Sequence, residues 1–374
     1  MKKILMGVFL FISFTVIALL LAEFVLRLVD PQPLTRQREN KYLISENILN
    51  WSGRNHTREF NVLIEYNRLG MRGEPIEYEK PEKETRLMVL GDSFVEGAQV
   101  NWRDHFSARA QHQLSAGGAQ GIKILSYGVA GWDTVQELIY LKSEGIKFSP
   151  KHVYLFFYPG NDINGSDGRY YDERLSTFVP KTDLNLLYRL NEPQTPLLKI
   201  KEYLLSQSHL FTLLKVSLEI SGIKNELKGV QRRMNMINIP QRDDSYAATL
   251  PREQRIARSW QLYSDLMRQF QIFCKERSIE FHVFVVPHLT QLYPDRHPEE
   301  YQKIIDKYWG RPDGYEHSIQ VLRDLGVDVI DLYPQMNERK NDQLYYVEDF
   351  HWTAAGHALV GDILTDKIKA DLNL

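Results

Sequence analysis

A chain of 374 residues, 43% hydrophobic and 25% charged, can bury a full-sized core and has room for two domains. Its formal net charge of −2 gives no electrostatic reason to expect a polyanionic partner, so nucleic acid is excluded from the expectations. The single cysteine, Cys274, forms no internal disulfide, and its helix-like surroundings read it as a small buried apolar side chain.

The run from Ile4 to Ala22 carries no charge and would be about 28 Å long as a helix, close to the thickness of a bilayer core. Lys2 and Lys3 precede it, which keeps the N-terminus in the cytoplasm and sends the rest of the chain outward. A cleaved signal peptide competes with this reading, but Leu20-Leu21-Ala22 places Leu where a cleavage site prefers a small residue. The segment continues as an amphipathic extension from Glu23 to Val29, stopped by Pro31 and Pro33. Residues 1–30 are therefore expected to form an uncleaved single-pass anchor in the cytoplasmic (inner) membrane, crossing it through residues 4–22. The rest of the chain would then be periplasmic or extracellular.

Residues 31–83 are mostly polar and read as an entry segment, with a strand at Phe60 to Tyr66 and a turn at Asn67-Arg68-Leu69-Gly70. From residue 84 the pattern changes. Arg86 to Leu90, Ile122 to Tyr127, Val153 to Tyr158, Phe281 to Val286 and Val327 to Leu332 read as strands. Helical patterns at Trp102 to Ser115, Thr134 to Glu144 and from Arg252 onward alternate with them. This alternation predicts an α/β fold with a parallel sheet covered on both faces, spanning residues 84–374. An insertion at about 165–255 is too long for a simple crossover. Within it, Pro196 to Ser221 carries Leu197, Leu198, Ile200, Tyr203 and Leu204 at helical spacing, and Lys224 to Arg242 is basic and polar. The insertion reads as a helical cap or interaction element, and its apolar stripe as ordinary core packing.

Gly91-Asp92-Ser93-Phe94 directly follows the first of these strands. A serine on a strand-to-helix turn is presented at the carboxyl edge of the sheet, with helix-start amides nearby for a developing oxyanion. Near the other end, Glu348-Asp349-Phe350-His351-Trp352-Thr353 precedes a helical pattern from Ala354 to Ile368 that Thr353 can cap. In an extended loop Asp349 and His351 share a face, so the carboxylate can hold one ring nitrogen while the other faces a serine. A metal site is not expected, because no second ligand pair stands at the required spacing. Gly128-Val129-Ala130-Gly131-Trp132-Asp133 and Gly160-Asn161-Asp162 follow the second and third strands, where a glycine N–H and the Asn161 amide can donate to one oxyanion. His288, at the end of the fourth strand, and His357, on the terminal helix, are the other histidines considered for the base.

These four blocks resemble the SGNH (GDSL-like) hydrolase superfamily. The resemblance covers roughly Arg86 to Ile163 and Phe281 to the C-terminus. It implies a flavodoxin-like three-layer α/β/α sandwich, serine-dependent chemistry on acyl esters and no cofactor. It makes Ser93 the nucleophile, His351 the base and Asp349 its orienter, with Ser93, Gly131 and Asn161 as the oxyanion hole. Gly128 competes with Gly131, and Glu348 with Asp349. Ser126 stands where many members have Asn. The short Asp-x-His-Trp form is similar to members acting on O-acetyl groups of cell-surface polysaccharides, often membrane-anchored, which implies a carbohydrate ester as partner. Asn67 to Gly73 also resembles an element of anchored members, with no chemistry attached. The resemblance decides neither between esterase and acyltransferase nor against a non-catalytic module that binds polysaccharide or a membrane-complex partner through the insertion.

Overall fold

The apolar runs become the strands of one sheet in a computed structural model that describes residues 2–29, 32, 34–40, 44–160, 162–165, 196–220, 251–296, 298–305 and 311–374. Two short antiparallel hairpins come first: β1 (Gln37–Asn40) with β2 (Ile44–Asn47), and β3 (Ser52–His56) with β4 (Asn61–Glu65). The five-stranded sheet follows, built from β5 (Thr85–Gly91), β6 (Ile122–Gly128), β7 (His152–Phe157), β8 (Glu280–Val285) and β9 (Asp328–Asp331). All its pairings are parallel, in the order β6-β5-β7-β8-β9.

The helices in chain order are α1 (Lys2–Val29), α2 (Ser93–Glu96), α3 (Phe106–Ala116), α4 (Thr134–Ser143), α5 (Asp162–Gly165), α6 (Pro196–Gln207) and α7 (His209–Ile220). They continue as α8 (Arg252–Lys275), α9 (Leu289–Leu292), α10 (Pro298–Ile304), α11 (Gly314–Asp324), α12 (Tyr333–Glu338) and α13 (Ala354–Leu372). The helix expected from Trp102 begins as a 3-10 turn, because His105 caps α3: its Nδ1 accepts from the Ser107 N–H at 3.2 Å.

Alternate residues of each strand enter opposite cores, the two-sided burial that a covered parallel sheet requires. Met88, Leu90, Val153, Leu155 and Phe157 pack with residues of α4, α8 and α11. Leu87, Val89, Tyr154 and Phe156 pack with residues of α3 and α13. The result is a three-layer α/β/α sandwich. Because β5 connects to β6 on one side and β7 to β8 on the other, the crevice between the carboxyl ends of β5 and β7 is a topological switch point.

The polar segment before the sheet is built against its carboxyl edge. Trp51, Phe60, Val62, Ile64 and Tyr66 form a small core with Ala98, and the Trp132 indole donates to the Ser45 carbonyl at 2.8 Å. α1 is long and apolar enough to cross a membrane and buries none of its residues. The 196–220 pattern forms two helices broken at Ser208. The expectation of core packing for its whole apolar stripe is not met: Leu197, Ile200 and Tyr203 are 75%, 57% and 68% exposed, because α6 buries Leu205 and Ser206 on its other face.

Candidate active site

The turn that carries Ser93 is shaped by close approaches that only glycine allows. A Cβ at Gly91 would lie 2.5 Å from Val95 Cγ2 and 3.1 Å from the Phe156 carbonyl oxygen. One at Gly128 would lie 2.2 Å from the Glu96 nitrogen, so the end of β6 runs directly beneath α2. Asp92 caps α2 by accepting from the Phe94 N–H at 2.9 Å, and Gly97, at φ +57°, ends the helix by donating to the Ser93 carbonyl at 2.9 Å. Ser93 is therefore the first residue of a single helical turn set on the end of β5.

His351 reaches that serine from a loop tied across its base by the Tyr345–Trp352 bridge and by the Tyr346 N–H donating to the His351 carbonyl at 2.9 Å. The loop is not extended as expected. Phe350 takes the left-handed conformation at φ +67°, a costly state for a bulky residue, and curls the chain so that Asp349 and His351 still meet. His351 Nδ1 lies 2.8 Å from Asp349 Oδ1 and 3.0 Å from the Asp349 carbonyl. With that nitrogen as donor, Nε2 carries the lone pair and faces Ser93 Oγ at 2.7 Å. The Phe94 ring lies against the imidazole, with centroids 4.8 Å apart.

Glu59, on the turn between β3 and β4, holds the same loop. Its carboxylate accepts from the backbone N–H groups of Val347 at 2.8 Å, Glu348 at 3.1 Å and Asp349 at 2.9 Å. Glu348 itself is exposed. Of the two candidate orienters, Asp349 is the one in contact with the ring.

Burial disfavours the imidazolium of His351, but the Asp349 carboxylate, and Asp92 more remotely, outweigh it and raise the pKa above the ordinary 6.5. Below the turn lies a set of buried carboxyls: Asp92, Asp133, Glu137 and Asp162. Burial first, then mutual repulsion, pushes the Glu137 and Asp162 carboxyls well above the usual carboxylate range. Asp162 Oδ2 accepts from the Tyr158 N–H at 2.7 Å, and Asp133 caps α4 through the Val135 N–H at 2.8 Å.

The remaining sequence candidates separate clearly. Gly131 sits at φ +81° in the turn before α4, with open space where a Cβ would be. Gly128 is the last residue of β6, packed under α2, and its carbonyl accepts from the Asn47 amide at 3.0 Å. Asn161 lies outside the described residues. His288 caps α9, its Nδ1 accepting from the Thr290 N–H at 3.1 Å. His357 is buried against Phe106 and His105 and held neutral by burial.

Four residues to which the sequence reading attached no role brace the turn. Glu96, fully buried in α2, is bound by the Arg36 guanidinium and the Tyr66 hydroxyl. Arg72, whose pKa burial lowers to about 10, donates to the carbonyls of Glu96 at 3.0 Å, Gly97 and Val100 at 2.9 Å. The Asn67 to Gly73 element thus closes the C-terminal end of α2.

Among the described residues, one group with metal-ligand chemistry comes together: His152, His282 and Asp371. It lies at the amino ends of β7 and β8, the edge opposite Ser93. Lys367 already supplies the positive charge there, paired with Asp371 and Asp328, and His282 Nδ1 lies 2.7 Å from Asp328.

The parallel sandwich thus carries a serine at its switch point with an Asp–His loop beside it. Residues 219–374 match the family described as SGNH hydrolase-like domain, acetyltransferase AlgX; that stretch contains Asp349 and His351 and lies beyond Ser93. No curated protein matches the chain. Among solved structures it is similar to a lipase/acylhydrolase from Enterococcus faecalis, at 14% identity and TM-score 0.41, over 77% of this chain and 96% of that one. It is also similar to an acetyl xylan esterase from Geobacillus stearothermophilus, at 12% identity and TM-score 0.39, over 75% of this chain and 94% of that one. A third is the esterase EstA from Pseudoalteromonas sp., at 11% identity and TM-score 0.37, over 78% of this chain and 100% of that one.

Proposed function

We propose that the chain is a serine esterase or O-acyltransferase that acts on an acyl group, most simply O-acetyl, of a carbohydrate outside the cytoplasmic membrane, to which α1 anchors it. The observation that carries this reading is the continuous path from Asp349 through His351 to Ser93, with contacts of 2.8 Å and 2.7 Å. His351 Nε2 takes the Ser93 hydroxyl proton as Oγ attacks the ester carbonyl. The backbone N–H groups of Ser93 and Gly131, with the Asn161 side chain, are the proposed donors to the oxyanion. Collapse expels the alcohol, which takes the proton back from His351 and leaves an acyl-serine. Water, or a sugar hydroxyl activated by the same His351, then accepts the acyl group and frees Ser93.

Residues 84–374 would form the hydrolase domain with its insertion. The segment at 31–83 serves the same site through Glu59 and Arg72. Support for acetyl chemistry comes from the acetyltransferase description of the matched family and from the acetyl xylan esterase among the structural likenesses.

The test is full-length protein in detergent with p-nitrophenyl acetate, following acyl-enzyme by intact mass and p-nitrophenol by absorbance, beside Ser93→Ala. A Ser93-dependent adduct that turns over in water makes it an esterase. An adduct that persists until an oligosaccharide is added makes it a transferase. No adduct from acetyl or longer acyl esters overturns the catalytic reading in favour of a binding module.

A further inference from the structure

The outer end of the anchor helix is bolted to the two helices of the insertion. Glu23 stands one residue beyond the charge-free run. Its carboxylate accepts from the Ser208 hydroxyl at 2.9 Å and from the N–H groups of His209 at 3.0 Å and Leu210 at 2.9 Å, which caps α7 with a side chain from α1. Arg27 pairs with the same carboxylate and donates to the Gln207 carbonyl at 2.6 Å. The Gln32 N–H donates to His209 Nδ1 at 2.8 Å, and the Thr35 N–H to the Leu205 carbonyl at 3.0 Å. The bend between α6 and α7 is thereby fixed where the apolar span ends.

With its position fixed there, the outer face of α6 is unusual for a helix in water. Leu197, Ile200 and Tyr203 recur every third residue, share one stripe and are each more than half exposed. Lys199 and Lys201, both exposed, fall on the two flanks of that stripe. Leu214 and Lys215 extend the exposed apolar and basic surface onto α7. An apolar stripe with an aromatic residue and flanking lysines suits a helix lying in the plane of a bilayer surface. Its carbon side chains would enter the acyl boundary and its ammonium groups would meet lipid phosphates.

We propose that α6 and α7 form an interfacial hairpin lying on the outer leaflet beside the anchor, with phospholipid as its occupant and Glu23 as its latch. This rests on the reading of α1 as a membrane anchor. A helix in the membrane alone leaves the domain free to swing; a second contact through Leu197, Ile200 and Tyr203 sets the height and tilt of the Ser93 edge above the lipid.

The experiment uses the full chain in phosphatidylcholine/phosphatidylglycerol nanodiscs, with single cysteines at Ile200→Cys, Tyr203→Cys and, within the anchor, Phe11→Cys. Each is labelled with bimane and read against lipids doxyl-labelled at shallow or deep positions. The native Cys274 is buried, and burial raises its thiol pKa to about 12, so it does not compete for label. We expect deep quenching at 11 and shallow quenching at 200 and 203, with the shallow signal lost in the Glu23→Ala background. Quenching at 11 without any at 200 and 203 overturns the interfacial hairpin and leaves the stripe to a protein partner. Absence of quenching at 11 overturns the anchor reading and this proposal with it. Shallow quenching that survives Glu23→Ala overturns the latch.

Discussion

Neutral His351 is the form that can accept the Ser93 proton, and the fold holds its pKa above 6.5 through Asp349. The acid limb of kcat/KM is therefore expected at an apparent pKa above 6.5, with activity lost as pH falls through it. Asp349→Asn removes the raising charge and leaves burial acting the other way. Its limb should move to lower pH while the plateau rate drops; a pH–rate profile with an unmoved limb would argue against Asp349 as orienter. The same shift has the opposite sign for stability: its stabilising contribution is complete below pH 6.5 and is lost as pH rises through the folded value. That Ser93, Asp349 and His351 meet was legible because short-range patterns mark them, a serine closing an apolar strand and a carboxylate two places before a histidine. Phe350 was not. Nothing in Asp-Phe-His announces a left-handed residue, and the geometry expected for an extended loop is reached by another backbone path.

Short elements, rather than long ones, carry the precision of the site. α2 spans one turn and cannot hold itself, so Arg36 and Tyr66, through the Glu96 carboxylate, and Arg72, through the carbonyls at the helix end, hold it from outside. Glu96→Ala strands the Arg36 guanidinium and the buried Tyr66 hydroxyl and should cost about 3–5 kcal/mol, read as a lower denaturant midpoint with m unchanged. Glu59 holds the loop that carries His351, the base of the proposed mechanism. Glu59→Ala frees three backbone N–H groups and should lower kcat roughly ten-fold, about 1.4 kcal/mol of barrier, with KM and global stability little changed. Glu59→Gln, which keeps an acceptor, should recover part of that loss. A mutant that instead loses stability and leaves kcat intact would make Glu59 merely structural. The β-strands of the sheet were legible as apolar runs, since burial on both faces leaves no room for polar alternation. The polar hairpins at 37–47 and 52–65 were mostly not, because their meaning lies in partners up to 290 residues away.

At the scale of the whole molecule, the sandwich brings the β5 turn, the β3–β4 turn and the loop before α13 to one edge, while His152, His282 and Asp371 gather at the other. The layer order followed from alternating helices and strands, but the contacts of α1 with α6 and α7 did not. Glu23 looks like any charge at the end of an apolar run until Ser208, His209 and Leu210 are found around it. The path from nucleophile to base also has a temporal side, because the two residues stand 258 positions apart in the chain. During synthesis the Gly91-Asp92-Ser93 turn is made early, and for more than two hundred codons thereafter it has no imidazole to draw its proton. By the proposed chemistry, a nascent or prematurely released polypeptide is inert toward cellular esters. The ribosome grants reactivity only once the strands that seat His351 have been delivered.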